Sequence, residues 1–412
     1  MAEAYAVFRF PDYRFLLAGR LAAAFGGQML TFAVTWDVWI RTKSAFALGL
    51  VGLAEVVPIL LFALPAGVLA DRRNRRTILL ISQTGAALTA FALTALSLWH
   101  GPVWAIYLCL TGLGLARAFA DPASSAYVPL VVPPEHFTSA ATWNSSTFQI
   151  AVITGPALAG ILVGAFGGSV TEVYGIGTAF LASQVVLVAF IQARPAIRAV
   201  ETRAWHSLVE GLKFLWSHKV VLSAITLDLF AILLGGAVAL LPIFATDVLH
   251  VGPWGLGLLR SAPSVGALLM ALVLAHRPTF RKAGVSLLWC VAGFGAGTIV
   301  FGLSTWFPLS LAMLFILGAL DNVSVVIRQT LMLTQVPDEM RGRTSAVNTV
   351  FISSSNELGD FESGVVAGFI GPVAAVVVGG IGTLLVVLGV WKLFPQLVAL
   401  KGLHRVERDE KV

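Results

Sequence analysis

The sequence predicts an all-α polytopic membrane protein with twelve transmembrane helices in two six-helix, pseudo-symmetric bundles. Three observations predict it: long apolar segments, basic residues gathered on one side of them, and an internal repeat about 204 residues apart. Hydrophobic residues make up 58% of the chain and charged residues only 12%, with mean hydropathy +0.88. A soluble domain is about half apolar and about a quarter charged. A helix of roughly 20 apolar residues crosses about 30 Å of hydrocarbon. Such segments begin near residues 16, 47, 77, 104, 138, 172, 219, 254, 283, 308, 344 and 371. Period-2 alternation is absent, which argues against a transmembrane barrel.

The basic residues orient the chain. With the N-terminus in the cytoplasm, 21 of the 27 Lys and Arg residues fall in inside segments and only Arg41 and Lys43 outside. Arg20, Arg117, Arg260 and Arg328 remain within spans. This bias places both termini and the central linker in the cytoplasm and the chain in the cell inner (plasma) membrane. The net charge of +6 is therefore a topology signal, and no nucleic-acid partner is implied. Trp36, Trp39, Trp99, Trp104, Trp254 and Trp306 fall at outer ends, as an aromatic belt would. The first apolar segment is too long for a signal-peptide core, lacks a small-residue cleavage site, and is expected to be retained. Cys109 and Cys290 lie within spans and the seven His residues are scattered, so neither disulfide, metal site nor cofactor is expected.

The repeat divides the chain. At a shift of 204, Val132, Pro133, Glu135, Asn144, Gly155 and Gly160 fall on Val336, Pro337, Glu339, Asn348, Gly359 and Gly364. LADRRNRR at Leu69 answers LAHRPTFR at Leu274, and Pro58 answers Pro263, at a shift of 205. Gly26 answers Gly235, and one insertion brings Asp37 onto Asp247. Matches in order along the chain indicate duplicated halves. The expected organisation is a first bundle over 1–191, a cytoplasmic linker over 192–218, a second bundle over 219–394 and a cytoplasmic tail over 395–412. Within the linker, Trp205, Leu208, Val209, Leu212, Leu215 and Trp216 recur at helical spacing, which reads as an amphipathic helix on the membrane surface.

Twelve spans in two repeated halves around a cytoplasmic linker resemble the major facilitator superfamily. GVLADRRNRR between spans 2 and 3 carries the resemblance most specifically. Gly67, Asp71, Arg72, Arg75 and Arg76 fit the family's loop signature, with Asn74 in place of its second glycine. Asn tolerates a left-handed turn next best after Gly. LGLARAFADP is similar to the family's Arg-bearing fourth helix. ITGPALAG, with Gly155, Pro156 and Gly160, resembles the antiporter motif of exporters, although Ala151 and Ala159 stand where glycine is usual. SSNELGDFESG and the segment after it resemble the bacterial branch that includes enterobactin exporters and drug efflux proteins. The resemblance implies a cytoplasmic gate at Gly67, Asp71, Arg72, Arg75 and Arg76, and a central cavity lined by spans 1, 4, 7 and 10.

Charge within a span is costly, so position sorts the remaining candidates. Asp37 and Asp247 fall at outer ends, where solvation is cheap. Arg20 and Arg328 are near enough to cytoplasmic ends to snorkel. Arg117 and Asp321 are repeat equivalents at mid-depth of spans 4 and 10. They are expected to face the cavity, with Asn144, Asn348, Asn356 and Gln28 as further substrate contacts. The alternative for Arg117 is an intrahelical pair with Asp121, four residues on. Glu55 and Arg260, also repeat equivalents, are candidates for a periplasmic gate.

Three carboxylates interrupt span 11. At 100° per residue, Ser353, Asn356, Glu357, Asp360 and Gly364 share a broad face, and Glu362 points away. Glu357 and Asp360 lie one turn apart in low dielectric, where two negative charges are costly, so the pair is suited to carry a proton. Asp321 and Asp228 are the other proton-coupling candidates. The sequence therefore predicts a secondary transporter that exports a small amphipathic or hydrophobic compound against proton entry, working as a monomer in the bilayer. An importer or lipid or lysolipid flippase of the same fold is the alternative, and a polytopic membrane enzyme the remote one. No phosphate-binding loop appears, and no nucleophile, metal or acid–base cluster suggests an enzyme.

Overall fold

The computed structural model describes residues 3–192, 204–276 and 282–400, and these are helical throughout their length apart from short connections. The elements are α1 (Pro11–Thr42), α2 (Ala45–Arg72), α3 (Arg75–Leu98), α4 (Val103–Val131), α5 (Phe137–Ala165), α6 (Thr171–Ala189), α7 (Ala204–Ser217), α8 (Lys219–Gly235), the single turn α9 (Leu241–Ile243), α10 (Gly252–Ala275), α11 (Ala283–Leu303), α12 (Phe307–Gln335), α13 (Asp338–Ile370), α14 (Pro372–Leu393) and α15 (Pro395–Val398). Among the described residues, eleven stretches are long and apolar enough to cross a membrane. The twelfth span, α13, has the length, at 33 residues, but its carboxylates and basic first turns lower its apolarity. The sequence-derived starts are furthest off at the first span, observed at Pro11, and the eleventh, observed at Asp338.

Local chemistry fixes the helix ends. The Ser44 hydroxyl accepts from the Ala47 amide and starts α2. Asn74 was expected in a left-handed turn. It is extended instead, with φ −63°, and its side chain accepts from the Arg76 amide as the cap of α3. Asn substitutes here through its capping oxygen, not through backbone tolerance. Gly371, at φ 86°, makes the turn between α13 and α14, where an L side chain would be strained. Pro58, Pro65, Pro122, Pro129, Pro156 and Pro263 lie inside helices, a pattern that membrane spans tolerate.

The seventh span is discontinuous. α8 ends at Gly235, a 3-10 turn covers Val238–Leu240, α9 follows, and a π turn covers Phe244–Val248. Ser363 on α13 donates to the Gly236 carbonyl at 2.7 Å, satisfying one acceptor that the break frees.

The chain forms two compact units, Met1–Thr202 with Leu241–Ser261, and Arg203–Leu240 with Ala262–Val412. In the first, α1 packs on α5 and α6, α4 on α2 and α3, and α3 on α6. One core cluster gathers Tyr13, Leu16, Leu79, Tyr127 and Val188. Its two buried phenols find acceptors: Tyr13 donates to the Ala140 carbonyl at 3.0 Å and Tyr127 to that of Gln192 at 2.8 Å. In the second unit, α11 packs on α12 and α14, and α8 on α13 and α14, around Leu227, Leu287, Ile327 and Leu331.

The linker helix α7 packs along α13. Leu215 is buried with Met332, Val336 and Val347. Glu210 pairs with Arg343 at 2.5 Å, and a Cβ on Gly211 would meet the Arg343 carbonyl oxygen at 2.8 Å. Leu212 and Trp216 remain exposed. Part of the stripe expected to face lipid is therefore turned onto a neighbouring helix. The side chains of Trp205 and Leu208, residues 193–203 of the linker and the tail beyond residue 400 lie outside the described residues.

Candidate substrate cavity and buried ion pairs

The first unit holds a cavity of about 680 Å³ to which each of the first six spans contributes. Arg20 and Gln28 come from α1, Glu55 from α2, Gln83 from α3, Arg117 and Asp121 from α4, Asn144 from α5 and Gln184 from α6. Ala, Leu and Val side chains and Phe148 fill the wall between them. Three of the substrate-contact residues expected from sequence, Arg117, Asn144 and Gln28, therefore meet at one site. Asn348 and Asn356 lie on α13 in the second unit, the former half-buried and the latter exposed.

The charges of this cavity are organised differently from the sequence expectation. Arg117 donates to Glu55, which was grouped with Arg260 as a gate pair. Arg260 instead donates to the Thr35 hydroxyl at 2.8 Å and to the Thr31 carbonyl at 3.4 Å. The reason is depth: Glu55 on α2 lies against α4, and Gly114 one turn before Arg117 allows that approach. A Cβ there would sit 2.3 Å from the Glu55 carbonyl oxygen. Arg20 was expected to snorkel. It turns into the cavity, where Nε meets the Ser124 hydroxyl at 2.9 Å and Nη2 the Ser124 carbonyl at 2.7 Å. Gln83 Oε1 and Asn144 Oδ1 are buried and accept no hydrogen bond.

The second unit holds a tighter constellation. Arg328, also expected to snorkel, is buried and donates to Asp228 at 2.5 Å, with the two side chains 7% and 6% exposed. A partner on α8 offers more than distant headgroup water does. Asp228, Asp321, Ser324 and Cys290 line a void of about 10 Å³, on the order of the space one water needs. Arg328 Nε and Ser324 Oγ have no hydrogen-bond partner. Asp321 therefore shares its surroundings with Asp228, and Arg117 has Glu55 as its ion-pair partner.

The signature loop joins α2 to α3. Arg75 donates to the Ala126 carbonyl of α4 at 2.8 Å and Arg76 to that of Ala189, at the end of α6, at 2.6 Å. Guanidinium groups thus tie the loop to carbonyls of two other helices. Arg72 is exposed, and a Cβ on Gly67 would meet nothing within 4 Å. The Asp71 side chain lies outside the described residues. The antiporter-like motif is a packing seam. A Cβ on Gly155 would lie 2.7 Å from Cβ of Gln28, and one on Gly160 would lie 2.5 Å from the Pro253 carbonyl oxygen. Gly257 in turn faces the Pro156 carbonyl, at 2.7 Å from its would-be Cβ.

Asp37, expected to be solvated, is buried. It accepts from Arg41 Nε at 2.7 Å and from the Tyr174 hydroxyl at 3.4 Å, so partners replace water. Asp247 is exposed and accepts from the Thr246 hydroxyl. On α13, Glu357, Asp360 and Glu362 are all half-buried. Gly359 and Ser363, interleaved with them, press α13 onto the broken end of α8. Among the described residues no group of His, Cys, Asp or Glu could hold a metal ion.

Comparison with known proteins agrees with this architecture. The profile of the Major Facilitator Superfamily matches residues 16–360. The chain is 28% identical over 361 residues to the multidrug efflux pump Tap of Mycolicibacterium fortuitum, covering 84% of this chain and 86% of the relative. It is 24% identical over 388 residues to the enterobactin exporter EntS of Citrobacter koseri, covering 94% and 92%. A solved POT family transporter in complex with 5-aminolevulinic acid superposes with TM-score 0.72 at 11% identity, over 93% of this chain and 96% of that one. That likeness is one of fold. The chain therefore belongs to the Major Facilitator Superfamily and is a membrane transporter of small molecules, not an enzyme.

Proposed function

We propose that this protein exports a small amphipathic or hydrophobic compound across the inner membrane by alternating access, in exchange for protons, with both termini in the cytoplasm. The cavity of the first unit carries the proposal. Its volume of about 680 Å³ falls inside the range of about 300–1,000 Å³ typical of small-molecule sites. Its wall sets apolar side chains beside polar ones, which suits an amphipathic guest. Efflux relatives support the outward direction.

Proton coupling is assigned to the acids of the second unit. Asp228, Asp321 and Arg328 fully ionised leave one negative charge in excess in a buried site, and an uncompensated buried charge is costly. One proton neutralises the cluster. Glu357 and Asp360, half-buried on α13, form the second candidate pair.

Cells with and without the protein, loaded with a chemically diverse panel of fluorescent compounds, test the direction. Export expects faster loss of at least one compound from expressing cells, and this advantage should vanish when a protonophore collapses the proton gradient. Faster accumulation in expressing cells would replace export by import. Loss unaffected by the protonophore would remove the proton from the mechanism.

A further inference from the structure

We propose that the first-unit cavity selects uncharged compounds that bear hydrogen-bond donors, and that the Arg117–Glu55 pair sets this charge preference. The proposal rests on the reading of this cavity as the substrate site.

Four ionisable side chains line the cavity, Arg20, Glu55, Arg117 and Asp121, two of each sign, so their formal sum is zero. Three of them are also bonded locally. Arg117 and Glu55 form an ion pair, Arg20 is held by the hydroxyl and carbonyl of Ser124, and Asp121 stands one turn from Arg117 on α4. A charged ligand must break one of these arrangements or stand unbalanced where charges interact strongly. An uncharged ligand disturbs none of them.

Hydrogen bonding supplies the second observation. Gln83 on α3 and Asn144 on α5 both line the cavity, and each has a buried side-chain oxygen that accepts nothing. An amide oxygen is only an acceptor, and leaving it buried without a donor is costly. A turn of either amide toward the cavity presents its oxygen to a ligand hydroxyl or amide N–H, which removes that cost, and the Ala, Leu and Val wall takes the apolar body. The class that fits is a neutral amphipath with hydroxyl or amide N–H groups, in preference to organic cations or carboxylates.

The test uses one dansyl scaffold with four interchangeable arms: a glyceryl diol, the same diol capped as methyl ethers, a quaternary ammonium and a carboxylate. Binding is read by fluorescence on the purified full-length protein in lipid nanodiscs, without a gradient, and transport separately in liposomes. The wild type should bind the diol at least about tenfold more tightly than either charged probe, and about tenfold more tightly than the capped diol. Glu55→Gln, which leaves the cavity lining with one positive charge in excess, should shift preference to the carboxylate. Arg117→Gln should shift it to the ammonium. The reversed double variant Glu55→Arg with Arg117→Glu should return preference to the diol, an outcome that general misfolding would not give. Gln83→Leu with Asn144→Leu should erase the difference between diol and capped diol and leave charge preference intact. Equal or tighter wild-type binding of a charged probe, variants that keep the wild-type order, or no binding of any probe would overturn the inference. The expected binding order without outward movement in liposomes would instead leave the cavity assignment standing and sink the export reading.

Discussion

The two units make the same helix-to-helix contact with opposite charge placement. In the first, Arg20 on α1 reaches Ser124 on α4. In the second, Asp228 on α8 meets Arg328 on α12. Ser124 and Arg328 are 204 residues apart, the spacing of the repeat, and Arg20 and Asp228 are 208 apart, one short of the shift that carries Gly26 onto Gly235. The duplicated scaffold therefore keeps a polar link between its first and fourth spans and exchanges the partners. The cation of the first unit rests on a neutral residue beside a wide cavity, which leaves its charge to be balanced by other lining groups. The cation of the second rests on a carboxylate beside a space of about one water. Under the function proposed above, one contact serves recognition and the other holds or loses a proton.

The largest expected effect comes from breaking the second unit's buried contact. Arg328→Met leaves Asp228 and Asp321 without their cation and should cost about 3–5 kcal/mol, read as a large loss of Tm in detergent. Adding Asp228→Leu should recover most of it, because one stranded carboxylate is then gone and the cluster returns to its wild-type formal charge. Next is the seam that holds α5 against the start of α10. Gly160→Leu forces a side chain into the Pro253 carbonyl and should destabilise by about 1–3 kcal/mol as an overpacked site. Gly67→Ala, where a Cβ meets open space within its unit, should leave Tm unchanged. The first unit's contact, beside the wide cavity, should be weaker. Arg20→Gln loses a charged donor to Ser124, but water in the cavity compensates in part, so about 1–2 kcal/mol is expected. The smallest effect belongs to Glu210→Gln at the linker helix. Both partners are more than a third exposed or close to it, so under about 1 kcal/mol is expected. An Arg20→Gln loss equal to that of Arg328→Met would erase the contrast between the units.

The spans, the repeat and the superfamily were legible because hydropathy, basic bias and a spaced motif each act over many residues. Side-chain pairing was not. Arg20 and Arg328 were read from their distance to a helix end, yet each is held by a partner on another helix, 104 and 100 residues away, and one-dimensional depth cannot find that partner. Asp37 failed for the same reason, since Tyr174 and Arg41 replace solvent. Glu55 was grouped with Arg260 by repeat symmetry, but the pairing follows contact within α2 and α4, which Gly114 permits. The break in the seventh span did leave a trace: Gly235 and Gly236 adjoin, and Pro242 follows, a run of weak helix formers inside an apolar segment. The packing of α7 on α13 left a fainter one in Gly211, which lies among the residues of the amphipathic stripe.

Proton-driven accumulation tests the central claim most directly. Liposomes holding the purified protein, with a pH gradient imposed across them, would be given the dansyl diol, and wild type would be compared with Asp321→Asn. The account predicts that the wild type concentrates the probe against its gradient, whereas Asp321→Asn, its cluster neutral without a proton, only equilibrates it. Equal concentration of the probe by Asp321→Asn and wild type would contradict the assignment of the proton to the second unit's buried cluster.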